Sequence, residues 1–392
     1  MKPRRIHDDI FWMGAIDWDR RLFDSLIPLP EGTSYNAYLV QGREKTVLVD
    51  TVDPPMLGVL MEQLRDVPRI DYVISNHSEQ DHSGAIAAVL EKYAAAKLLC
   101  TPQAKFILMD HLGIAEGRFR TVGDGETIAL GGKTLEFIHT PWVHWPETMV
   151  TYLREDQILF SCDFFGSHLA TSDISVKNGE EVYRAAKRYY AEIMMPFRKI
   201  IRKNLEKVRS RPLRLIAPSH GPVLGDPEFI LAAYEDWASE VPKNSAVIPF
   251  VSMHGSTARM VEHLVGALAE RGLDVHPFNM AGADIGELAM SLVDAATIIL
   301  GTPCVHLGPH PQIAYSALLA NALRPKAKFA SIVGSFGWNQ KIIDQIAGLI
   351  PNLKVEILPP VLCKGYPQER DLKEIDTLAE AVLQKHKGLN LV

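Results

Sequence analysis

Ser75-Asn76-His77-Ser78-Glu79-Gln80-Asp81-His82-Ser83-Gly84 is the stretch that decides how this chain is read. His77, Glu79, Asp81 and His82 can all act as ligands, and they fall within one short run. The apolar residues 71–74 before it read as a buried strand. Residues 84–90 after it read as the start of a helix, so the cluster sits on a strand-to-helix loop. A tight loop can aim alternate side chains at one point. Two imidazoles and two carboxylates held that close call for a cation between them. The plain alternative is a solvated loop in which Asp81 or Ser83 caps the next helix.

Further potential ligands follow short strands downstream. His144 lies in Thr140-Pro141-Trp142-Val143-His144-Trp145-Pro146, Asp163 ends Ile158-Leu159-Phe160-Ser161-Cys162-Asp163, and His220 lies in Pro218-Ser219-His220-Gly221. Each alone reads as a packed histidine, a turn residue or a cap. Their joint occurrence in this order after the first cluster makes the case for metal. Of the remaining histidines here, His111 reads as a helix-surface residue and His139 as a core one. His168 is placed to support a ligand rather than to be one.

Around these loops, residues 35–41 and 46–50 read as a hairpin, and residues 55–67 have helical apolar spacing. Strand and helix follow at 97–100 and 102–112. Glycines at 123, 125, 131 and 132 punctuate a second set of short strands. Residues 180–208 read as one long helix with a buried face, and 214–217 as another strand.

The chain has 392 residues, a net charge of -6, 47% hydrophobic and 22% charged residues. That describes an ordinary globular protein of about two to three domains. The acidic balance argues against nucleic-acid binding. Four widely separated cysteines and no C-x-x-C exclude a rubredoxin-like or zinc-ribbon module and suit a reducing compartment. The basic start is followed by Ile6-His7-Asp8-Asp9, which is not a signal peptide. No run of about 18 apolar residues spans a membrane. A cytoplasmic protein is expected.

The order of the ligand motifs resembles the metallo-β-lactamase fold, an αββα sandwich with a dinuclear site on loops at one edge. The wider text resembles one branch of it, the flavodiiron proteins. The matching stretches are residues 18–24, 32–40, the metal loop, 144–149, 163–166 and 219–221. By that resemblance, His77, Glu79 and His144 hold one iron, Asp81, His82 and His220 hold the other, and Asp163 bridges. Glu79 stands where hydrolytic relatives carry a second histidine. A carboxylate-rich site with two histidines per metal suits redox-active iron better than hydrolytic zinc.

At Val241-Pro242-Lys243-Asn244 the pattern changes to regular β/α alternation, which divides the chain into domains 1–243 and 244–392. Strands fit at 246–251, 274–277, 297–300, 329–333 and 355–358, and helices between and after them. Five parallel strands with crossover helices make a doubly wound α/β fold, whose ligands bind at the carboxyl ends of the strands. Ser252-Met253-His254-Gly255-Ser256-Thr257 offers hydroxyls and backbone N–H groups at a helix N-terminus, a site for one phosphate. No G-x-G-x-x-G occurs, so a dinucleotide is not supported. With Pro303, Cys304, His306 and Gly308 after the third strand, and Ser335, Phe336, Gly337 and Trp338 after the fourth, the set resembles a flavodoxin-type FMN site. Trp338 is a candidate stacking ring.

The resemblance implies a reductase of dioxygen, nitric oxide or both, with FMN and two iron ions per chain. It implies a separate electron donor, either rubredoxin or a reduced deazaflavin, and a head-to-tail homodimer or dimer of dimers. Two alternatives stand beside it. One is a zinc hydrolase fused to a flavodoxin-like domain. The other is an electron-transfer or gas-sensing flavoprotein whose metal site is not catalytic.

Overall fold

Strands buried on both faces build the first sheet. In the computed structural model, which describes residues 2–392, its seven strands run in the order Arg4–His7, Ile10–Trp12, Tyr38–Gln41, Thr46–Val49, Tyr72–Ile74, Lys97–Cys100, Phe119–Thr121. The first four pair antiparallel and the rest parallel. Side chains alternate across the sheet: Tyr38 and Val40 enter one core, Leu39 the other. A strand buried on both sides needs near-continuous apolar sequence, which is why 38–40 and 46–49 carry so little polar periodicity.

The second sheet runs Thr127–Ala129, Thr134–His139, Met149–Leu153, Ile158–Cys162, Leu215–Pro218. Its last pair is parallel and the others antiparallel. Tyr38, Val49, Ile74 and Leu99 of the first sheet meet Leu135, Phe137, Met149 and Phe160 of the second in one buried core. Each such side chain contributes roughly 1.5–3 kcal/mol on burial. On the far side of the first sheet, Leu39, Leu48 and Leu98 pack against Leu60, Ile86, Val89 and Leu108 of the helices Leu57–Gln63, Ile86–Lys92 and Pro102–Leu112. Beside the second sheet lies the helix Arg198–Arg209. Its Asn204 Nδ2 and Lys207 Nζ donate to the carbonyls of Pro141 (3.2 Å) and His139 (2.9 Å). The layers are α/β/β/α, as expected.

Three local readings change. The expected helix over 180–208 is two helices, Gly179–Tyr189 and Arg198–Arg209, separated by a π turn at Tyr190–Met194 and a 3₁₀ turn at Met195–Phe197. Pro196 explains the break, because it has no N–H to continue the ladder and its ring clashes with the carbonyl four residues back. The expected strand 35–41 is split into Thr33–Tyr35 and Tyr38–Gln41, with Asn36 turned toward another loop. The cluster at 77–82 is not all loop: Gln80–Ser83 forms one helical turn that carries Asp81 and His82.

The chain divides into two compact units, one running to Tyr190 and resuming over Phe197–Ala238, the other comprising Ala191–Pro196 and Ser239–Val392. In the second unit the parallel strands run Asp274–Asn279, Lys243–Phe250, Ala295–Val305, Phe329–Phe336, with Glu356–Ile357 and Val361–Lys364 both pairing with the last. Numbered along the chain, the order is 2-1-3-4-5, that of flavodoxin-like folds. The fifth expected strand, 355–358, is only its first half. Pro359 and Pro360 interrupt it, and pairing resumes at Val361. Among the described residues, no helix is long and apolar enough to cross a membrane.

Candidate metal centre

His77 and Glu79 lie on the loop after Tyr72–Ile74, and Asp81 and His82 on the helical turn that follows. His144 comes from the loop after Thr134–His139. Asp163 follows Ile158–Cys162, and His220 follows Leu215–Pro218. Ligand atoms of His77, Glu79, His144 and Asp163 all lie within 4.8 Å of one another, as do those of Asp81, His82 and His220. All seven side chains expected from the sequence therefore converge, and they fall into the two expected groups.

Asp163 faces both groups, one oxygen to each. Its Oδ2 is 3.5 Å from His77 Nε2 and 3.2 Å from His144 Nε2. Its Oδ1 is 2.9 Å from His82 Nε2 and 3.4 Å from His220 Nε2. Glu79 Oε2 lies 3.1 Å from both His77 Nε2 and His144 Nε2, while Asp81 Oδ2 lies 3.2 Å from His220 Nε2. The imidazole Nε2 atoms and the carboxylates thus point at common centres.

The test of fit is what these atoms lack. Both oxygens of Asp81, Oδ1 of Asp163 and Nε2 of His82 are buried without a hydrogen-bond partner. Unpartnered buried polar atoms are costly, and four of them facing one another mark places for cations. The mixed nitrogen and oxygen donor set fits iron. In the metal-free chain, protons act as the cations. Burial opposes charge on His220, yet Asp163 and Asp81 raise its pKa to about 10. Burial likewise opposes charge on His144, and Asp163 and Glu79 raise it to about 9. Asp163 is correspondingly held well below the usual carboxylate range: burial opposes this, and His82 is the largest lowering influence. Cys162 also lies within ligand reach of His82 and Asp163. Burial, followed by Asp50 and Asp163, pushes its thiol well up, so it stays protonated and makes a poor ligand.

Outer contacts fix the ring orientations. Glu147 Oε1 accepts from His77 Nδ1 (2.8 Å) and from the Ser78 N–H (2.9 Å), so that His77 Nε2 is the ring nitrogen that faces the site. His220 Nδ1 donates to the Ser34 carbonyl at 2.7 Å, with the same result. His168 is buried, with Nδ1 2.9 Å from Thr33 Oγ1 and its ring 4.7 Å from that of His220. Burial, reinforced by His220, holds it well below its ordinary pKa, hence neutral. It supports His220 and is not among the ligands. Sequence reading assigned no role to Glu147 or Ser34. The sole sequence signal was that Glu147 closely follows His144. His139 is half-buried at a strand end, with Nε2 3.1 Å from the Val122 carbonyl, and His111 is exposed.

In the second unit, the candidate flavin loops all stand at carboxyl ends of the parallel strands. Gly255 adopts φ 88 and stands at the N-cap of the helix Ser256–Glu270, where it offers no side chain of its own. Ser252 Oγ accepts from the N–H groups of Gly255 (3.2 Å) and Ala258 (3.1 Å), which shapes the turn. Thr257 Oγ1 lies 3.3 Å from Ser335 Oγ, so the first and fourth strand ends meet. Pro303 and Cys304 end the strand Ala295–Val305, His306 lies in the tight turn after it, and Gly308 begins the antiparallel return Gly308–Pro309. Trp338 is 84% exposed, and Met253 is also exposed. A helix start led by glycine, with an open aromatic ring after the fourth strand, fits a phosphate and a flat ring system.

Comparison with known proteins agrees with this architecture. The family described as ODP family beta lactamase matches residues 33–221. A nitric oxide reductase from Moorella thermoacetica is 35% identical, over 97% of this chain and 98% of its own. An anaerobic nitric oxide reductase flavorubredoxin from Vibrio vulnificus is 33% identical, over 94% of this chain and 77% of its own. The structure of rubredoxin oxygen:oxidoreductase from Desulfovibrio gigas superposes with a TM-score of 0.95 at 29% identity, covering 100% of both chains.

Proposed function

The chain belongs to the flavodiiron protein family, and from that premise we propose that it reduces dioxygen to water, nitric oxide to nitrous oxide, or both. The carrying observation is the placing of Asp163 between two ligand groups, one oxygen to each. In this reading His77, Glu79 and His144 hold one iron, Asp81, His82 and His220 hold the other, and Asp163 bridges. Residues 1–243 form the metal-bearing domain and 244–392 the FMN domain. Ser252, Met253, His254, Gly255, Ser256 and Thr257 take the phosphate side. Pro303, Cys304, His306, Gly308, Ser335, Phe336, Gly337 and Trp338 flank the ring.

When bound, the irons and the flavin supply the electrons: four for dioxygen to two waters, two for two nitric oxides to nitrous oxide and one water. The chain's own residues do the rest. Glu147 and the Ser34 carbonyl hold His77 and His220 with Nε2 lone pairs facing the centre. Phe23 (ring centroid 6.5 Å from His220), Tyr35 (5.8 Å) and Tyr189 (5.8 Å) enclose His220 and keep water from that side. Electrons arrive from a separate donor, rubredoxin or a reduced deazaflavin, and a head-to-tail homodimer or dimer of dimers pairs one chain's flavin with the other's metals.

The test is consumption of dioxygen and nitric oxide, measured in parallel by the purified protein assayed for iron and FMN and supplied with a reduced donor. Consumption of either gas, lost in Asp163→Ala with FMN retained, supports the reading. Zinc without flavin, and hydrolysis of a lactam or thioester, would overturn it.

A further inference from the structure

His220 sits in the turn Pro218-Ser219-His220-Gly221, and one residue far away in sequence holds that turn on every side. The Asn36 backbone N–H donates to the Ser219 carbonyl at 2.8 Å. The Asn36 side-chain Nδ2 donates to the carbonyls of Pro218 and Gly221, both at 2.8 Å. Its Oδ1 accepts from Trp12 Nε1 at 2.8 Å. Both amide hydrogens and the amide oxygen are therefore used, and Asn36 is buried. Reversing the amide would set its oxygen against two carbonyls and its NH₂ against an indole N–H, so Trp12 fixes which way it points. Tyr38 Oη adds a bond to the Pro218 carbonyl (2.7 Å) and Ser34 Oγ accepts from the Gly221 N–H (2.8 Å).

The turn cannot supply these bonds itself. Gly221 adopts φ 78, and a Cβ there would lie 2.1 Å from Ser167 Oγ. A sharp turn ending in a left-handed residue leaves its carbonyls pointing outward, and in a dry interior each needs a donor. Only a neutral primary amide of this length donates twice and accepts once here. Aspartate would oppose two carbonyls with a negative charge, and serine would reach neither.

We propose that Asn36, oriented by Trp12, is a positioning residue for the metal held by Asp81, His82 and His220. It sets where His220 Nε2 stands relative to Asp81 and Asp163. It touches no ligand atom and acts through the main chain on both sides of His220. The inference rests on the dinuclear reading above. Outer-shell partners of metal-bound imidazoles typically change metal affinity about 10–100-fold. That loss should fall on one metal position, because the hydrogen bonds of Asn36 run to Trp12, Pro218, Ser219 and Gly221, around His220 and away from His77, Glu79 and His144.

The experiment titrates metal-free, FMN-loaded protein with Co(II) and follows the two binding steps by visible absorption. The variants are Asn36→Asp and Trp12→Phe. The expected result is two steps in the unaltered chain. Asn36→Asp should weaken one step about 10–100-fold. Trp12→Phe should weaken the same step less, because the amide keeps its two carbonyl partners. Assignment comes from His220→Ala, which should abolish the step that Asn36→Asp weakens. Two unweakened steps in both variants would overturn the proposal, as would equal weakening of both steps, which marks a general structural role. If Asn36→Asp fails to fold, Trp12→Phe alone decides. Failure of the unaltered chain to bind two metals would instead overturn the dinuclear reading.

Discussion

Replacing Glu147 by glutamine should loosen the other metal position while leaving the fold intact. Glu147 is fully buried, and one of its oxygens takes hydrogen bonds from His77 Nδ1 (2.8 Å) and the Ser78 N–H (2.9 Å). His77 in turn holds the carboxylate low against the opposition of burial. Glutamine keeps an acceptor oxygen at nearly the same place but removes the charge that makes the imidazole a strong donor toward metal. It also puts an NH₂ group where Glu147 Oε2 now has no partner, and a buried unpaired donor costs about 1–3 kcal/mol. Loss of such an outer carboxylate weakens metal binding about 10–100-fold, roughly 1.4–2.7 kcal/mol at 1.36 kcal/mol per decade. The cost of the unpaired amide falls on folding in the free and the loaded chain alike, so the loss of affinity measures the missing charge behind His77. The assay is the same two-step Co(II) titration, with iron per chain as a check. The step lost in His77→Ala should weaken, and the step lost in His220→Ala should not move. Unchanged affinity in Glu147→Gln, or equal loss of both steps, would refute the reasoning.

The metal-free chain should lose stability in alkali. His144 and His220 are raised to about 9 and about 10, so their stabilising charge is complete below the unfolded value near 6.5 and is lost as pH rises through those values. Its melting temperature should fall between about pH 7 and 10, and metal loading at pH 7 should release protons, since His77 and His82 are raised as well; a flat alkaline limb would contradict this. In the second unit, burial lowers His386 to about 4, with its ring nitrogens 2.7 Å from Thr297 Oγ1 and Asn244 Oδ1. Its contribution is present above about pH 6.5 and is lost as pH falls toward 4, about 3 kcal/mol in all. His386→Gln should be less stable at neutral pH and show a shallower acid loss in denaturant unfolding. Gly255→Val, which a φ of 88 forbids, should lose FMN. Mixed with Asp163→Ala, it should recover gas consumption in heterodimers; demonstrated subunit exchange without recovery would exclude the head-to-tail pairing.

The seven converging side chains were legible because each sits beside a strand end on a short polar interruption of apolar sequence, a pattern local enough to read. The alternation of strand and helix in the second unit was legible for the same reason: Gly272 and the N-cap Asp284 mark element ends within a few residues. What stayed hidden depends on pairs far apart in the chain. Nothing around Asn36 announces that its amide bonds Pro218 and Gly221, more than 180 positions away. Glu147 reads as an ordinary polar residue until the fold brings it to His77. The long helix was misread because Tyr183, Ala186, Tyr190 and Met194 keep an apolar period up to Pro196 and Ile201, Leu205 and Val208 resume one beyond it, so period outweighed a local break. Trp338 shows the reverse: its place was foreseen, but its 84% exposure reflects the loop tip and could not be read from residue type.

Charge balance explains why position 79 carries a carboxylate. Glu79 is the N-cap residue of the turn Gln80–Ser83, in extended backbone, so its side chain leaves the turn and reaches His77 and His144. With Asp81 and Asp163 it gives the site three ligand carboxylates, and Glu147 behind His77 adds a fourth. Four negative charges would match two divalent cations, so these carboxylates and a pair of such ions would be neutral together. Neutrality matters where Asp81, His82, Asp163 and His220 are all nearly inaccessible, because uncompensated charge there costs several kcal/mol. An imidazole at position 79 would leave one positive charge in excess and would replace an oxygen donor by nitrogen, the composition that suits hydrolytic zinc. The same residue sits, with His144, on the less enclosed side of the site: their side chains are 13% and 14% exposed, against 1–4% for Asp81, His82 and His220. The carboxylate therefore stands where the burial penalty is smallest and where a small gas can approach, while the imidazoles and carboxylates of the other position are closed in by protein.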